Sequence, residues 1–175
     1  MNFMSQVLDT RDFRRALGAF PTGVTVVTTR DRDGTPRGFT ANSFTSVSLD
    51  PPMVLICVAK MAASCDVFAA ANGFAVTVLD HEQQSVSALF ASKAPDKFVR
   101  APWTAGALNL PLIDGAAAWF ACERERSIDA GDHMILLGRV LDYGHTPSEP
   151  LGYCRGALMF AVKGWTRVFC SSSNS

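Results

Sequence analysis

The segment Val24-Thr25-Val26-Val27-Thr28-Thr29 constrains the fold of this chain more than any other stretch. It is β-branched throughout, and side chains branched at Cβ fit a pleated strand better than a helix. Asp33-Gly34 follows as a hairpin turn signal, so Thr35 to Thr40 should return antiparallel. The same pattern recurs along the chain. Met53 to Ala59 reads as an apolar strand, and Phe74 to Leu79 as a strand with Phe74, Val76 and Val78 on one face. Late strands are expected at Ala117–Arg126, His133–Tyr143 and Ala157–Val162.

Helical spacing is confined to three short segments. Phe13, Ala16, Leu17 and Phe20 recur at that spacing from Thr10 to Ala19, and Pro21 with Gly23 ends the run. Ala62–Ala71 is opened by Ser64, packed through Val67 and Phe68, and closed by Asn72-Gly73. Gln83–Phe90 turns Val86 and Leu89 or Phe90 inward, and an irregular loop with Pro95, Pro102 and Pro111 follows. Many strands, few helices and hairpin-range connections predict a mainly β protein, an antiparallel barrel with flanking helices. A Rossmann domain is disfavoured: no GxGxxG occurs, and strands do not alternate regularly with helices. One domain over residues 1–175 is expected, with 1–9 and 165–175 peripheral and Ser171–Ser175 a loose tail.

Charge and cysteine usage narrow the function classes. Sixteen basic and 16 acidic residues balance with no basic block, which gives nucleic acid no electrostatic footing. Arg11, Arg14 and Arg15 share a segment with Asp9 and Asp12 and read as a solvated helix face. No apolar run approaches the roughly 20 residues that span a bilayer. The stretch Met1–Arg15 lacks the apolar region of a secretion signal. The five cysteines form no CxxC pair and no metal spacing, so free thiols in a reducing cytoplasm and no metal are expected.

The chemistry concentrates in two places. Gly38-Phe39-Thr40-Ala41-Asn42-Ser43-Phe44-Thr45-Ser46-Val47-Ser48-Leu49-Asp50-Pro51-Pro52 is polar where a core strand would be apolar. Short hydroxyls and an amide on extended backbone can bond a heteroaromatic ring edge and an anionic ester without adding charge; a Ser/Thr-rich edge strand is the plainer reading. Gly131-Asp132-His133 opens an apolar strand, and there an acid can orient an imidazole at a site mouth; a surface histidine at a strand end is the alternative. Ser64 either caps its helix or helps hold a phosphate with Lys60. Lys93 and Lys97 beside Phe90 and Phe98 suit part of a nucleotide or a solvated turn, with the turn slightly favoured. There is no GxSxG elbow and no HExxH, so the chain either binds something or lets a cofactor perform the chemistry.

Several of these pieces, taken in order, resemble the flavin reductase-like family, the small reductase components of two-component flavin monooxygenases. They are Phe13-Arg14-Arg15-Ala16-Leu17-Gly18 with Pro21 to Thr29, the run 38–52, Phe90-Ala91-Ser92 with Asp96-Lys97-Phe98, and Gly131-Asp132-His133. The resemblance implies a split β-barrel of the FMN-binding, Greek-key type, assembled as a homodimer with FMN or FAD near the subunit interface. It implies that Thr40, Ala41, Asn42 and Ser43 meet the isoalloxazine ring and that Ser46, Val47 and Ser48 continue along the ring and ribityl chain. Lys60 and Ser64 would lie towards the phosphate, and Phe90, Ala91 and Ser92 against the flavin tail. Asp132 and His133 would sit beside the nicotinamide of NADH or NADPH, with His133 the catalytic candidate in an orienting role. The chain departs from its relatives where Met61-Ala62-Ala63 stands, since they often carry an arginine there. The implied activity is hydride transfer from the nicotinamide to flavin, with reduced flavin supplied to a partner monooxygenase. A bound flavin reducing a corrinoid or ferric acceptor is an alternative, and a non-catalytic electron carrier or sensor is another.

Overall fold

The computed structural model describes residues 8–159. Helix α1 (Thr10–Leu17) and the short β1 (Thr22–Gly23) precede β2 (Thr25–Arg30), β3 (Pro36–Ala41), β4 (Thr45–Leu49) and β5 (Pro52–Ala59). Next come α2 (Cys65–Ala70), β6 (Gly73–Val78), α3 (Gln84–Ala91), α4 (Lys97–Arg100), β7 (Trp103–Ala105), a 3-10 turn (Ala107–Asn109) and β8 (Pro111–Ile113). Two long strands, β9 (Ala118–Ala130) and β10 (His133–His145), lead to β11 (Gly152–Cys154) and β12 (Ala157–Met159). The expected strand end at Val162 and the 165–175 tail lie outside the described residues.

Seven strands form one antiparallel sheet in the order β3-β2-β6-β9-β10-β5-β4. Three hairpins build it: β2–β3, β4–β5 and β9–β10, the last with thirteen residues in each strand. The connection from β5 to β6 leaps over β10 and β9, which makes the sheet more than a meander. Residues that alternate on the inner face, among them Val27, Ala41, Val54, Ile56, Val58, Phe74, Val76, Cys122 and Leu136, share one core. Inner-face residues from both ends of the sheet therefore meet, and the sheet is a split barrel. Helix α2 packs Cys65 and Phe68 into that core, with Phe68 edge-on to Phe39 at 5.1 Å.

The outer face is covered on one half only. Over β2, β3 and β6 lie α3, α4, β11 and β12, with Val26, Leu79, Leu89, Phe90 and Leu151 in a second core. The β7–β8 hairpin adds a third through Leu110 and Leu112 against Ala75 and Ala121. Strand β6 is thus buried on both faces, which overturns the expected single apolar face at Phe74, Val76 and Val78. Its outward Thr77 accepts from the Ile113 N–H, while Thr28 on β2 donates to the Pro111 carbonyl. Those threonines let two strands be covered on both sides without orphaning polar atoms.

The proline-rich segment is more ordered than expected, holding α4, β7 and β8 rather than one irregular loop. The expected helix at Ala62–Ala71 starts three residues later, at Cys65. Among the described residues no helix is long and apolar enough to cross a membrane.

Candidate functional site

The polar run 38–52 is not one strand. Its first part ends β3 at Ala41, its last part forms β4 from Thr45, and residues 42–44 carry the chain from one edge of the sheet to the other. Ser43 fixes that crossing. Its Oγ accepts from the Cys57 N–H at 3.0 Å and donates to the Cys57 carbonyl at 3.2 Å. The β4–β5 ladder begins only at Thr45↔Leu55, so the Ser43 side chain takes the place of the missing backbone partner.

The β5–β10 register brings the second motif to the same end. Ala59 faces His133 and Cys57 faces Ile135, so Ser43 lies two strand positions, about 7 Å, from the level of His133. Gly131 and Asp132 are the two-residue link between the paired Ala130 and His133. Gly131 adopts φ 64, a conformation that suits glycine, and the turn delivers His133 at the first position of β10. Asp132 Oδ1 lies 2.7 Å from His133 Nδ1. That contact holds the imidazole with Nε2 turned away from the carboxylate. The His133 hydrogen bond and charge keep the Asp132 carboxyl below its ordinary value, with a smaller contribution from Arg14.

Arg14 enters through a separate surface. A cleft of about 620 Å³ is lined by Arg14, Arg15, Phe20, Asn42, Tyr153 and Arg155, with Leu17, Gly18, Thr22 and Gly156 completing its wall. Asn42 therefore stands between this cleft and the Ser43 anchor. Its amide, like the hydroxyls of Thr45, Ser46 and Ser48, has no hydrogen-bond partner among the described residues.

The other named residues lie as follows. Thr40 points outward and donates to the Ser87 carbonyl on α3 at 2.6 Å, while Ala41 turns into the barrel core. Ser46 and Val47 sit exposed at the bulge of the β4–β5 pair, beside half-buried Ser48. Lys60 spends its ammonium on both oxygens of Asp129 at 2.8 Å, and its N–H on the Asp132 carbonyl. Ser64 precedes a six-residue helix and makes no side-chain cap bond. Phe90 is buried edge-on against Phe98. Ala91 is exposed, and Ser92 Oγ donates to the Leu89 carbonyl at the helix end.

Two groups result. Asn42, Ser43, Lys60, Asp132 and His133 gather at one end of the barrel. Phe90, Ala91 and Ser92 belong with Gly38, four residues or about 13 Å along β3 from Asn42. Lys97 joins that second group, donating to the Phe90 carbonyl at 2.9 Å, and desolvation lowers its pKa.

The sequence alone marks Arg14 and Arg15 as a solvated helix face and gives Arg155 no role. The available signal is Arg155-Gly156, a turn dipeptide just before the strand expected from Ala157. Among the described residues no cluster of three or more His, Cys, Asp or Glu side chains could hold a metal.

Comparison with known proteins agrees with this architecture. A flavin reductase like domain profile matches residues 17–161. The reductase component of flavin-dependent trigonelline monooxygenase from Acinetobacter baylyi is 46% identical over 171 residues, covering 98% of this chain and 55% of the relative. The FMN reductase (NADH) SmoA of Agrobacterium fabrum is 44% identical over 150 residues, covering 86% and 85%. The solved NADH:FAD oxidoreductase SgcE6 of Streptomyces globisporus, in complex with NAD and FAD fragments, superposes with a TM-score of 0.81 at 39% identity and covers 97% of this chain and 100% of that one. The chain spans about half the length of two curated relatives, 55% and 56%.

Proposed function

The chain belongs to the flavin reductase-like family, and from that premise we propose that it transfers hydride from NADH, or NADPH, to FMN or FAD. The reduced flavin would go to a partner monooxygenase. One observation carries the reading: the β5–β10 register and the Ser43 anchor gather Asn42, Ser43, Asp132 and His133 at one barrel end. The names of the relatives support the partner, since one is a monooxygenase reductase component and another an FMN reductase.

The donor set suits a flavin. Neutral groups at Asn42, Thr45, Ser46 and Ser48 can bond carbonyl and imide edges of a planar ring without adding a charge of their own. When bound, flavin supplies the ring that accepts the hydride. The work of the chain is to position and to exclude. Ser43 holds the 42–44 crossing so that Asn42 faces the ligand instead of following the ladder. Asp132 orients His133, whose Nε2 can bond or pack against the nicotinamide carboxamide. His133 acts as an orienting group, because hydride transfer needs two rings held at reactive distance more than a proton donor. Thr40 is committed to α3 and would help by fixing β3 against Ser87.

A homodimer is part of this proposal. Leu55, Cys57, Ile135, Leu137 and Ile128 lie together on the outer face of β5, β10 and β9, the half that no described element covers. A second copy would bury them and wall the site from its open side.

The test is NADH oxidation by purified protein, followed at the nicotinamide absorbance with FMN, FAD or neither. Turnover that rises with flavin supports the reading and names the preferred flavin. Protein that binds flavin but never oxidises NADH or NADPH would overturn it.

A further inference from the structure

The cleft between α1 and the β11–β12 hairpin contributes only Asn42, of the residues that line it, to the mechanism above. Three guanidinium groups line it: Arg14 and Arg15 from the last turn of α1, and Arg155 from the hairpin tip. The two segments are tied together, since the Arg155 N–H donates to the Gly18 carbonyl at 2.7 Å and the Gly18 N–H to the Arg14 carbonyl at 2.9 Å. No carboxylate among the described residues lines the cleft. Among the described residues, none of the three arginines has an acidic side chain within ion-pair distance.

The backbone of Arg155 adds an independent sign. Arg155 and Gly156 join the paired residues Cys154 and Ala157, and both have positive φ, 51 and 85. That is a two-residue hairpin turn whose first position normally takes Asn, Asp or Gly. A long, β-substituted arginine is held there against its preference, the kind of local strain that marks a functional position. The cleft also offers Phe20, three-quarters exposed, and Tyr153 as flat faces for a ring. Its volume falls in the range of small-molecule sites.

We propose that this cleft holds the diphosphate and adenylate end of the reduced pyridine nucleotide, which lets the nicotinamide end reach Asp132 and His133. Arg155 and Arg14 bond the phosphate oxygens, and Phe20 with Tyr153 flanks the base. The position of the cleft gives the direction: it runs from the hairpin to Asn42, and the charge of Arg14 is felt at Asp132. This inference rests on the reductase reading above. A flavin phosphate shares the same chemistry, so the experiment separates the two.

The probes are ADP by titration calorimetry, NADH by steady-state kinetics and FMN or FAD by fluorescence titration, on wild-type protein and on Arg155→Asn and Arg14→Gln. The expected result is about tenfold weaker ADP binding and an NADH KM raised about tenfold in each variant, with flavin Kd within twofold. Arg155→Asn should also unfold at no lower temperature than wild type, because Asn tolerates the turn better. Arg100→Gln, which removes one charge elsewhere, should leave the NADH KM unchanged. A shift in flavin Kd with ADP and NADH untouched would assign the cleft to the flavin phosphate and overturn the proposal. So would unchanged ADP and NADH parameters in both variants. ADP binding that Arg155→Asn abolishes, in a wild-type chain that never oxidises NADH, would uphold a nucleotide cleft and sink the reductase reading instead.

Discussion

Replacing Ser43 by alanine tests whether one side chain joins the fold to the site. Ser43 Oγ makes two bonds to the Cys57 backbone, at 3.0 and 3.2 Å, where the β4 strand has already turned away. Alanine leaves one donor and one acceptor of β5 without partners. Fully buried, each would cost about 1–3 kcal/mol, but Cys57 is only half-buried and water can reach part of the gap. A net loss of about 1–2 kcal/mol is expected, a fall in Tm of about 2–8 °C for a chain of this size. The 42–44 crossing would then be held only by its ends, and Asn42 would no longer be pre-positioned. Flavin affinity should weaken by roughly tenfold, equivalent to about 1.4 kcal/mol. Urea unfolding gives the first quantity and quenching of flavin fluorescence the second. Ser43→Thr retains the hydroxyl and should recover much of both. The reasoning is refuted if Ser43→Ala unfolds like wild type and binds flavin as tightly.

Three other outcomes follow from the same geometry. His133→Ala should lower NADH turnover while flavin affinity stays near the wild-type value; equal loss of both would show that His133 helps hold the flavin. Gly138→Ala should destabilise the barrel by about 1–3 kcal/mol in a denaturant melt, because the new Cβ would lie 2.6 Å from Phe74 Cζ and 2.9 Å from Cys122 Cβ in the core. For Asp31 at the β2–β3 turn, partial desolvation opposes ionisation, yet the Thr35 and Asp33 N–H groups and the Arg37 guanidinium outweigh it and hold the carboxyl below 3.8. Its stabilising contribution is complete above pH 3.8 and is lost as pH falls through the depressed folded value, where the unfolded chain has already taken up its proton. Asp31→Asn should accordingly differ from wild type in thermal melts at pH 5, with the gap closing as pH falls through the depressed folded value; a constant gap down to acid pH would contradict the assignment.

Much of the barrel is legible in the sequence because its strands are locally consistent. The β-branched run at 24–29, Asp33-Gly34, Met53 to Ala59 and the start of β10 at His133 each carry their own signal, and each is where expected. What failed to show depends on partners distant in sequence. Burial of both faces of β6 follows from the β7–β8 hairpin, formed by strands of three residues each, too short to carry a period. Thr40 looks like a ligand residue until α3 is packed over it, and Lys60 looks like a free cation until the β9–β10 turn brings Asp129 to it. Arg14 and Arg15 are exposed on α1, as a solvated face would be. On a lone helix they face water, and only the β11–β12 hairpin, with Arg155 at its tip, makes them the wall of a cleft.

The most direct measurement mixes the protein anaerobically with FMN or FAD and with NADH carrying deuterium at the transferred C4 position, following the bleaching of flavin absorbance. Protein-dependent bleaching that slows severalfold with the deuterated donor is expected, since the bond to that hydrogen breaks as the flavin is reduced. Flavin that remains oxidised with NADH and NADPH alike, in protein shown to be folded and to bind it, would rule out hydride transfer by this chain.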